Sequence, residues 1–251
     1  MQIDAYIFDN HASLGFMINK NKTYFWGTLG LEIQDSIYQF GMEQVVRKIV
    51  RYSSGIGVLM ASGQAMQIEI LNGQIKSSGL LAFSQIIDIF GGEIISCLCQ
   101  SGSIISSPWN NHKTCERAIA LVGPHAYLGI SESVHDILGN TLIGGAKHLQ
   151  SNLVLVQNTL YEIKPAQAKL IREDVYAASE HLMALTDGTL VDYSGAVMHL
   201  PEKIIYCNSN SDGARFAYGE SGKIWAWGHN PYNCLNLGEI LIADKPIPMS
   251  V

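Results

Sequence analysis

His181-Leu-Met-Ala-Leu-Thr-Asp-Gly-Thr-Leu-Val-Asp-Tyr-Ser-Gly195 and Ala214-Arg-Phe-Ala-Tyr-Gly-Glu-Ser-Gly-Lys-Ile-Trp-Ala-Trp-Gly228 decide the fold. Each segment is an apolar strand, a tight turn on Gly188 or Gly222, a second strand and a closing glycine. Alternating apolar residues around a turn that needs positive φ make a β-hairpin, because glycine adopts that backbone without a Cβ clash. The two copies run in step, so the chain carries a repeat.

Weaker copies lie upstream. Leu14 to Gly27 turns at Asn19 to Lys22 and closes on Trp26-Gly27. Ile56 to Glu69 turns at Ser62-Gly63, and Ile94 to Pro108 at Ser101-Gly102. Ala126 to Gly139 and Asn152 to Ile163 keep the shape without the turn glycine. Most hairpins follow a short apolar run: Asp4 to Phe8, Val45 to Val50, Gln85 to Phe90, Arg117 to Val122, Glu173 to Ala178 and Lys203 to Cys207, with a weaker Gly145 to Gln150 before the fifth. Three or four strands repeated seven times in 251 residues is the arithmetic of β-propeller blades. The expectation is an all-β, seven-bladed β-propeller forming one domain over 1–251, with blade hairpins at 3–27, 45–69, 85–108, 117–139, 145–163, 173–195 and 203–228. A competing α/β reading places helices at Ser36 to Arg51 and Pro165 to Leu182, since short apolar runs are ambiguous and the second stretch is rich in helix formers. Seven hairpins in register favour the propeller. The final stretch, Leu241 to Val251, can return to the first blade, but Pro246 and Pro248 confine it to an edge.

The run Gly222-Lys-Ile-Trp-Ala-Trp-Gly-His-Asn-Pro-Tyr-Asn-Cys-Leu-Asn-Leu-Gly238 resembles the regulator of chromosome condensation repeat. Ala178-Ser-Glu-His181 with Leu185-Thr-Asp-Gly188 carries the other half of that repeat, and Gly123-Pro-His125 and Asp9-Asn-His11 are fainter echoes. The Gly-Gln-Leu-Gly segment that follows Trp-Gly in the family is missing, and Asn233-Cys-Leu-Asn-Leu-Gly238 is its relic. The resemblance implies a propeller of such repeats, with Trp26, Gly27, His181, Gly188, Gly222, Trp227 and Gly228 as structural blade residues. It also implies two sharper roles. One is a guanine nucleotide exchange factor for a Ran-like or Rab-like small GTPase, including bacterial effectors acting in host cells. The other is an accessory subunit like the alpha-tubulin suppressor branch, partnering a small metal-binding protein in tRNA or elongation-factor modification; Trp227 to Cys234 resembles that branch's ending. Neither a wedge insertion nor a basic tail is visible.

Composition narrows the function classes. The net charge is −6 with 16 Lys plus Arg and no basic run, which argues against nucleic acid as a partner. A chain 47% apolar and 15% charged can bury enough surface to fold. No basic leader is visible at Met1 to Ala5, no apolar run is long enough for a spanning helix, and the cysteines form an odd, scattered set (Cys97, Cys99, Cys115, Cys207, Cys234). These features suggest a soluble, cytoplasmic protein with reduced thiols, with the nucleus also open to it.

No catalytic, cofactor or metal constellation stands out. Gly27-Thr-Leu-Gly30 and Gly55-Ile-Gly57 lack the full dinucleotide fingerprint. Ser131, Ser133 and His135-Asp136 lie in no nucleophile elbow, and Cys97, Cys99, Cys115 and His112 lack metal-ligand spacing. The best reading is a non-enzymatic protein-interaction module, monomeric by itself, with no cofactor and another protein as partner. Trp109, Asn110, His112 and Lys113 form one candidate contact, on the polar stretch Ser106 to Lys113. His229, Tyr232 and Asn233 form a second, and the Ser209 to Gly213 loop a third.

Overall fold

Alternation and tight turns pair each strand with its neighbour in sequence. The computed structural model describes residues 1–8, 12–28, 34–39, 45–82, 85–91, 95–100, 103–106, 110–114, 118–122, 125–130, 133–135, 141–143, 148–150, 153–164, 167–210 and 212–249; within these, side chains are described for all but 34–39, 103–104, 106–150 and 164. The first sheet is β1 (Gln2–Phe8), β2 (Ala12–Asn19), β3 (Lys22–Gly27) and β4 (Gln34–Gln39). The second is β5 (Val46–Tyr52), β6 (Gly55–Met60), β7 (Ala65–Leu71) and β8 (Gln74–Leu80). The third is β9 (Ile86–Phe90), β10 (Ser96–Cys99), β11 (Ser103–Ser106) and β12 (Asn110–Thr114). The fourth is β13 (Ala118–Val122), β14 (His125–Ile130), β15 (Ser133–His135) and β16 (Thr141–Ile143). The fifth is β17 (His148–Gln150), β18 (Leu153–Val156), β19 (Thr159–Lys164) and β20 (Gln167–Arg172). The sixth is β21 (Val175–Ala178), β22 (Leu182–Leu185), β23 (Leu190–Asp192) and β24 (Val197–Met198). The seventh is β25 (Ile204–Ser209), β26 (Ala214–Gly219), β27 (Ile224–His229) and β28 (Ile242–Pro248).

Each sheet is a contiguous stretch of chain in sequential order, and the strand pairs whose register is described are antiparallel. The middle strands are the most buried. All of Gly55–Met60, Ser96–Cys99 and Leu182–Leu185 lie inside, as does nearly all of Ala12–Asn19. Such strands are covered on both faces, so their apolar residues run without alternation.

Two corrections to the sequence reading concern these strands. The stretches offered as helices, Ser36 to Arg51 and Pro165 to Leu182, contain β4, β5, β20 and β21 instead. Asn110, His112 and Lys113 belong to a strand at the edge of the third sheet, not to a loop. The C-terminal stretch forms β28 on β27, with Trp225 opposite Pro248 and His229 opposite Ile242. Its prolines sit on an edge, where a missing N–H breaks no ladder.

The chain divides into two compact units. One comprises Met1–Lys113, Asn210–Phe216 and Ile224–Val251; the other comprises Thr114–Ser209 and Ala217–Lys223. In the first unit, Tyr6, Phe8, Leu14, Phe16 and Phe25 of the first sheet pack on Val46, Ile49, Ile56, Val58, Ile68 and Ile70 of the second. Tyr52, Leu59 and Ala65 then meet Ile86, Ile89, Cys97 and Cys99 of the third. In the second unit, Leu153, Leu155 and Leu160 meet Val175, Met183, Leu185 and Val191. In these three pairs, neighbouring sheets pack through apolar layers. Among the described residues no helix is long and apolar enough to cross a membrane.

Candidate protein-interaction site

The segment joining β27 to β28 combines exposed apolar side chains with a heavily anchored backbone. β27 buries Trp225, Ala226 and Trp227, and its ladder to β28 shifts register between Ala226 and Gly228. Gly228 has φ +100, and a Cβ there would overlap the Gly213 carbonyl oxygen. The chain then turns sharply through Pro231–Asn233. Tyr232 (φ 54), Asn233 (φ 57) and Asn236 (φ 54) all hold left-handed backbone. For tyrosine that conformation is strained, and such strain persists only where the surroundings impose it.

Buried asparagines impose it. Asn230 donates its N–H to the Leu241 carbonyl (2.8 Å) and its Nδ2–H to the Ile240 carbonyl (2.6 Å), while its Oδ1 accepts from the Leu235 N–H (2.6 Å). Oδ1 of Asn233 accepts from the Gly238 N–H (2.9 Å). The first sheet adds two ties. Trp26 donates its Nε1–H to the Cys234 carbonyl (2.7 Å), and the Ser13 hydroxyl donates to the Tyr232 carbonyl (2.8 Å). The Cys234 thiol donates to the His229 carbonyl (3.3 Å), and burial pushes its pKa up to about 12. A thiol that stays protonated is no nucleophile, so Cys234 belongs to the scaffold.

Around this frame the side chains of His229, Tyr232, Glu239, Ile240, Leu241 and Ile242 face solvent. Leu241 is 69% exposed, Ile242 63% and Ile240 40%, three consecutive aliphatic residues outside any core. An apolar cluster held in one conformation loses little conformational entropy when a partner covers it.

No protein-family model and no curated protein matches the chain. Solved structures do. The WD40 β-propeller domain of Doa1 matches with a TM-score of 0.55 at 9% identity, covering 89% of this chain and 90% of that one. The β-propeller domain of Cps50 (Swd1) from Myceliophteria thermophila matches with a TM-score of 0.54 at 8% identity, covering 90% and 96%. A chain in the structure of Kap60 bound to yeast RCC1 (Prp20) gives a TM-score of 0.45 at 13% identity, covering 99% and 75%. The fold is a β-propeller.

In a propeller the strands form the scaffold and the connections between them do the recognising. Of the residues singled out from sequence, His229 and Tyr232 lie on the exposed segment, with Asn233 turned inward to hold Gly238. Trp109 lies outside the described residues, and Asn110, His112 and Lys113 lie on β12. The Ser209 to Gly213 loop is occupied internally. Asn210 donates to the Ala5 carbonyl and to Asp4, and the Asp212 carboxylate accepts from the Ile7 N–H (3.2 Å) and from Arg51 (2.7 Å).

Trp26 and Trp227 are buried. Gly27, Gly188, Gly222 and Gly228 all have positive φ. The His181 side chain is exposed, and its backbone N–H donates to the Ser209 hydroxyl (2.8 Å). Sequence reading missed Ile240, Leu241 and Ile242, because a short aliphatic run reads as core. Gly238 and Glu239 just before them, with no alternation following, were the available signal.

Proposed function

We propose that this chain is a non-enzymatic protein-binding propeller that contacts its partner through the segment between β27 and β28. The observation that carries the reading is the exposed Ile240-Leu241-Ile242 run beside Tyr232, on a backbone pinned by buried asparagines. Rigid apolar anchors with a polar rim are the usual energetic centre of an interface, and His229 and Glu239 supply part of that rim here. We read the seven sheets as seven blades of one propeller spanning 1–251, and the Trp-Gly bulges at Trp26-Gly27 and Trp227-Gly228 support a regulator of chromosome condensation-type repeat. The edge strand carrying Asn110, His112 and Lys113, with Trp109 before it, is a second contact in this reading. The four described cysteines are free and buried, which suits a reducing compartment such as the cytoplasm.

The test is capture of binding proteins by the wild-type chain against a Tyr232→Ala, Leu241→Asp variant of equal thermal stability. A protein held by the wild type and released by the variant is the expected result. Binding that survives in the variant overturns the assignment to this segment. If the captured protein is a small GTPase, acceleration of labelled guanine nucleotide release separates an exchange factor from an adaptor.

A further inference from the structure

The outer strands are not equally protected. Among those with described side chains, β28 carries Pro246 and Pro248, β24 is two residues long, and β20 carries Lys169 and Arg172. Proline, shortness and charge are the usual means of keeping a sheet edge from pairing with another chain. β8 concentrates its protection at Lys76, where the ladder to β7 steps from Ser77 to Ile75 and leaves that residue bulged, while Ser77 to Leu80 run regularly with no proline, charge or bulge. Its seven residues Gln74–Leu80 are all exposed, Leu80 by 56% and Ile75 by 45%, and Lys76 is its single charge. The ribbon β7–β8 is closed by Asn72-Gly73, both in left-handed backbone (φ 50 and 72), the tight turn that suits a twisted hairpin.

The register shows which backbone groups of β8 point outward. Gln67 pairs with Gly79 and Glu69 with Ser77, and the Leu81 N–H reaches the Ala65 carbonyl (2.8 Å). On the other side of β7, the Ile70 N–H goes to the Ser54 carbonyl (2.8 Å). In an antiparallel ladder these groups alternate, so Ser77, Gly79 and Leu81 bond to β7 while the N–H and C=O of Ser78 and Leu80 point away from the sheet. The side chains of Ser78 and Leu80 share the face of Ile68 and Met66, their cross-strand partners.

We propose that β8 pairs edge to edge with β8 of a second copy of this chain, antiparallel about a two-fold axis through Gly79. Ser78 then stands opposite the partner's Leu80, and the outward N–H and C=O groups of both residues complete the ladder across the axis. The two Leu80 side chains meet diagonally on one face and cover each other. The regular stretch Ser77 to Leu81 carries no charge, so the pairing brings no like charges into register in a chain of net charge −6. The approach is open at the axis, since a Cβ on Gly79 would meet nothing within 4 Å. This dimer is proposed in place of the monomer expected from sequence, and it is independent of the contact between β27 and β28.

Sedimentation velocity on the full chain across a wide concentration series tests the pairing. The weight-average mass of the wild type should rise from 27.5 kDa toward twice that value. Ser78→Pro removes an N–H that points away from β7, so the sheet keeps its own ladder while the edge is blocked, and this variant should stay at the monomer mass. Leu80→Lys keeps every backbone hydrogen bond and should also stay monomeric, which carries the test if the proline variant fails to fold. A wild type that remains at 27.5 kDa throughout overturns the proposal, as does a Leu80→Lys variant that dimerises as strongly as the wild type. Association abolished by Leu241→Asp but not by Leu80→Lys overturns it equally, by moving the interface to the other segment.

Discussion

Gly27 and Gly228 solve the same local problem in two different sheets. Both have φ near 100 (+103 and +100), and a Cβ on either would overlap a carbonyl oxygen, that of Ser13 or of Gly213. The residue after each glycine donates its N–H to that same carbonyl, Thr28 to Ser13 (2.9 Å) and His229 to Gly213 (3.3 Å). Glycine therefore provides both the backbone angle and the close approach. Gly195 separates the two, with φ +87 and nothing within 4 Å of its would-be Cβ. Gly27→Ala and Gly228→Ala should each cost about 2–3 kcal/mol, and Gly195→Ala about 1 kcal/mol. Urea denaturation of the three variants checks this, and equal losses would show that the carbonyl approach contributes nothing. Trp26→Phe belongs with them. It leaves the Cys234 carbonyl without its indole donor, and a loss of about 1–3 kcal/mol is expected on the same urea assay.

At the level of strands, the hairpins could be read from sequence because the turn glycines announce them. Gly188 and Gly222 each close a turn by donating to the carbonyl three residues back, Leu185 and Gly219. The opening strands were harder to read, and the reason is a bulge. The ladders skip Arg47 between Val46 and Lys48 and Tyr176 between Val175 and Ala177. An extra residue resets the two-residue period, so Val46 and Ile49, or Val175 and Ala178, face inward at a spacing of three. That spacing imitates a helix, which is why Ser36 to Arg51 admitted one. The outer strand β8 left no trace for the opposite reason: Gln-Ile-Lys-Ser-Ser-Gly-Leu buries neither face, so nothing constrains its pattern, whereas the prolines of β28 marked an edge. Of the candidate site, the turn residues His229 and Tyr232 were legible from composition, whereas the exposure of Ile240–Ile242 depends on where β28 pairs.

The loop between β25 and β26 holds β1 by side chains, and its strength can be divided. Asp212 accepts from the half-buried Ile7 N–H and from Arg51, whose guanidinium also lies 5.4 Å from the centre of the Phe8 ring. Asp212→Ala strands that N–H and should cost about 1–3 kcal/mol. The ion pair itself is partly exposed, with side-chain exposures of 37% and 20%, so Arg51→Ala should cost about 1 kcal/mol or less, and less again in high salt. A double-mutant cycle at two salt concentrations measures the split. A cost for Asp212→Ala that vanishes with salt would mean that the backbone hydrogen bond contributes nothing.

Across the whole molecule, the apolar layers between sheets set how the protein responds to base. Cys97 lies in the layer between the second and third sheets, and Cys207 and Cys234 are equally enclosed. Burial raises each thiol from an ordinary value of 9.0 to about 12, with Cys99 adding to the effect on Cys97. The folded-state values lie above the unfolded ones, so the stabilisation is fully present below pH 9, where both states keep their protons. Between pH 9 and about 12 the unfolded chain loses those protons while the folded chain retains them, and stability falls as pH rises. Tyr52 and Tyr193, also raised by burial, act in the same direction above their ordinary value of 10.0, so alkaline loss alone does not assign the effect to thiols. Cys207→Ala does, because it removes one buried acid, together with the smaller part of the Tyr193 shift that the Cys207 charge supplies, and leaves the burial of both tyrosines in place. Its unfolding free energy should decline less steeply above pH 9 than that of the wild type, whatever the change at neutral pH. Parallel declines in the two proteins would mean that the Cys207 thiol titrates alike in the folded and unfolded chains, and its enclosure would then have no part in the alkaline limit.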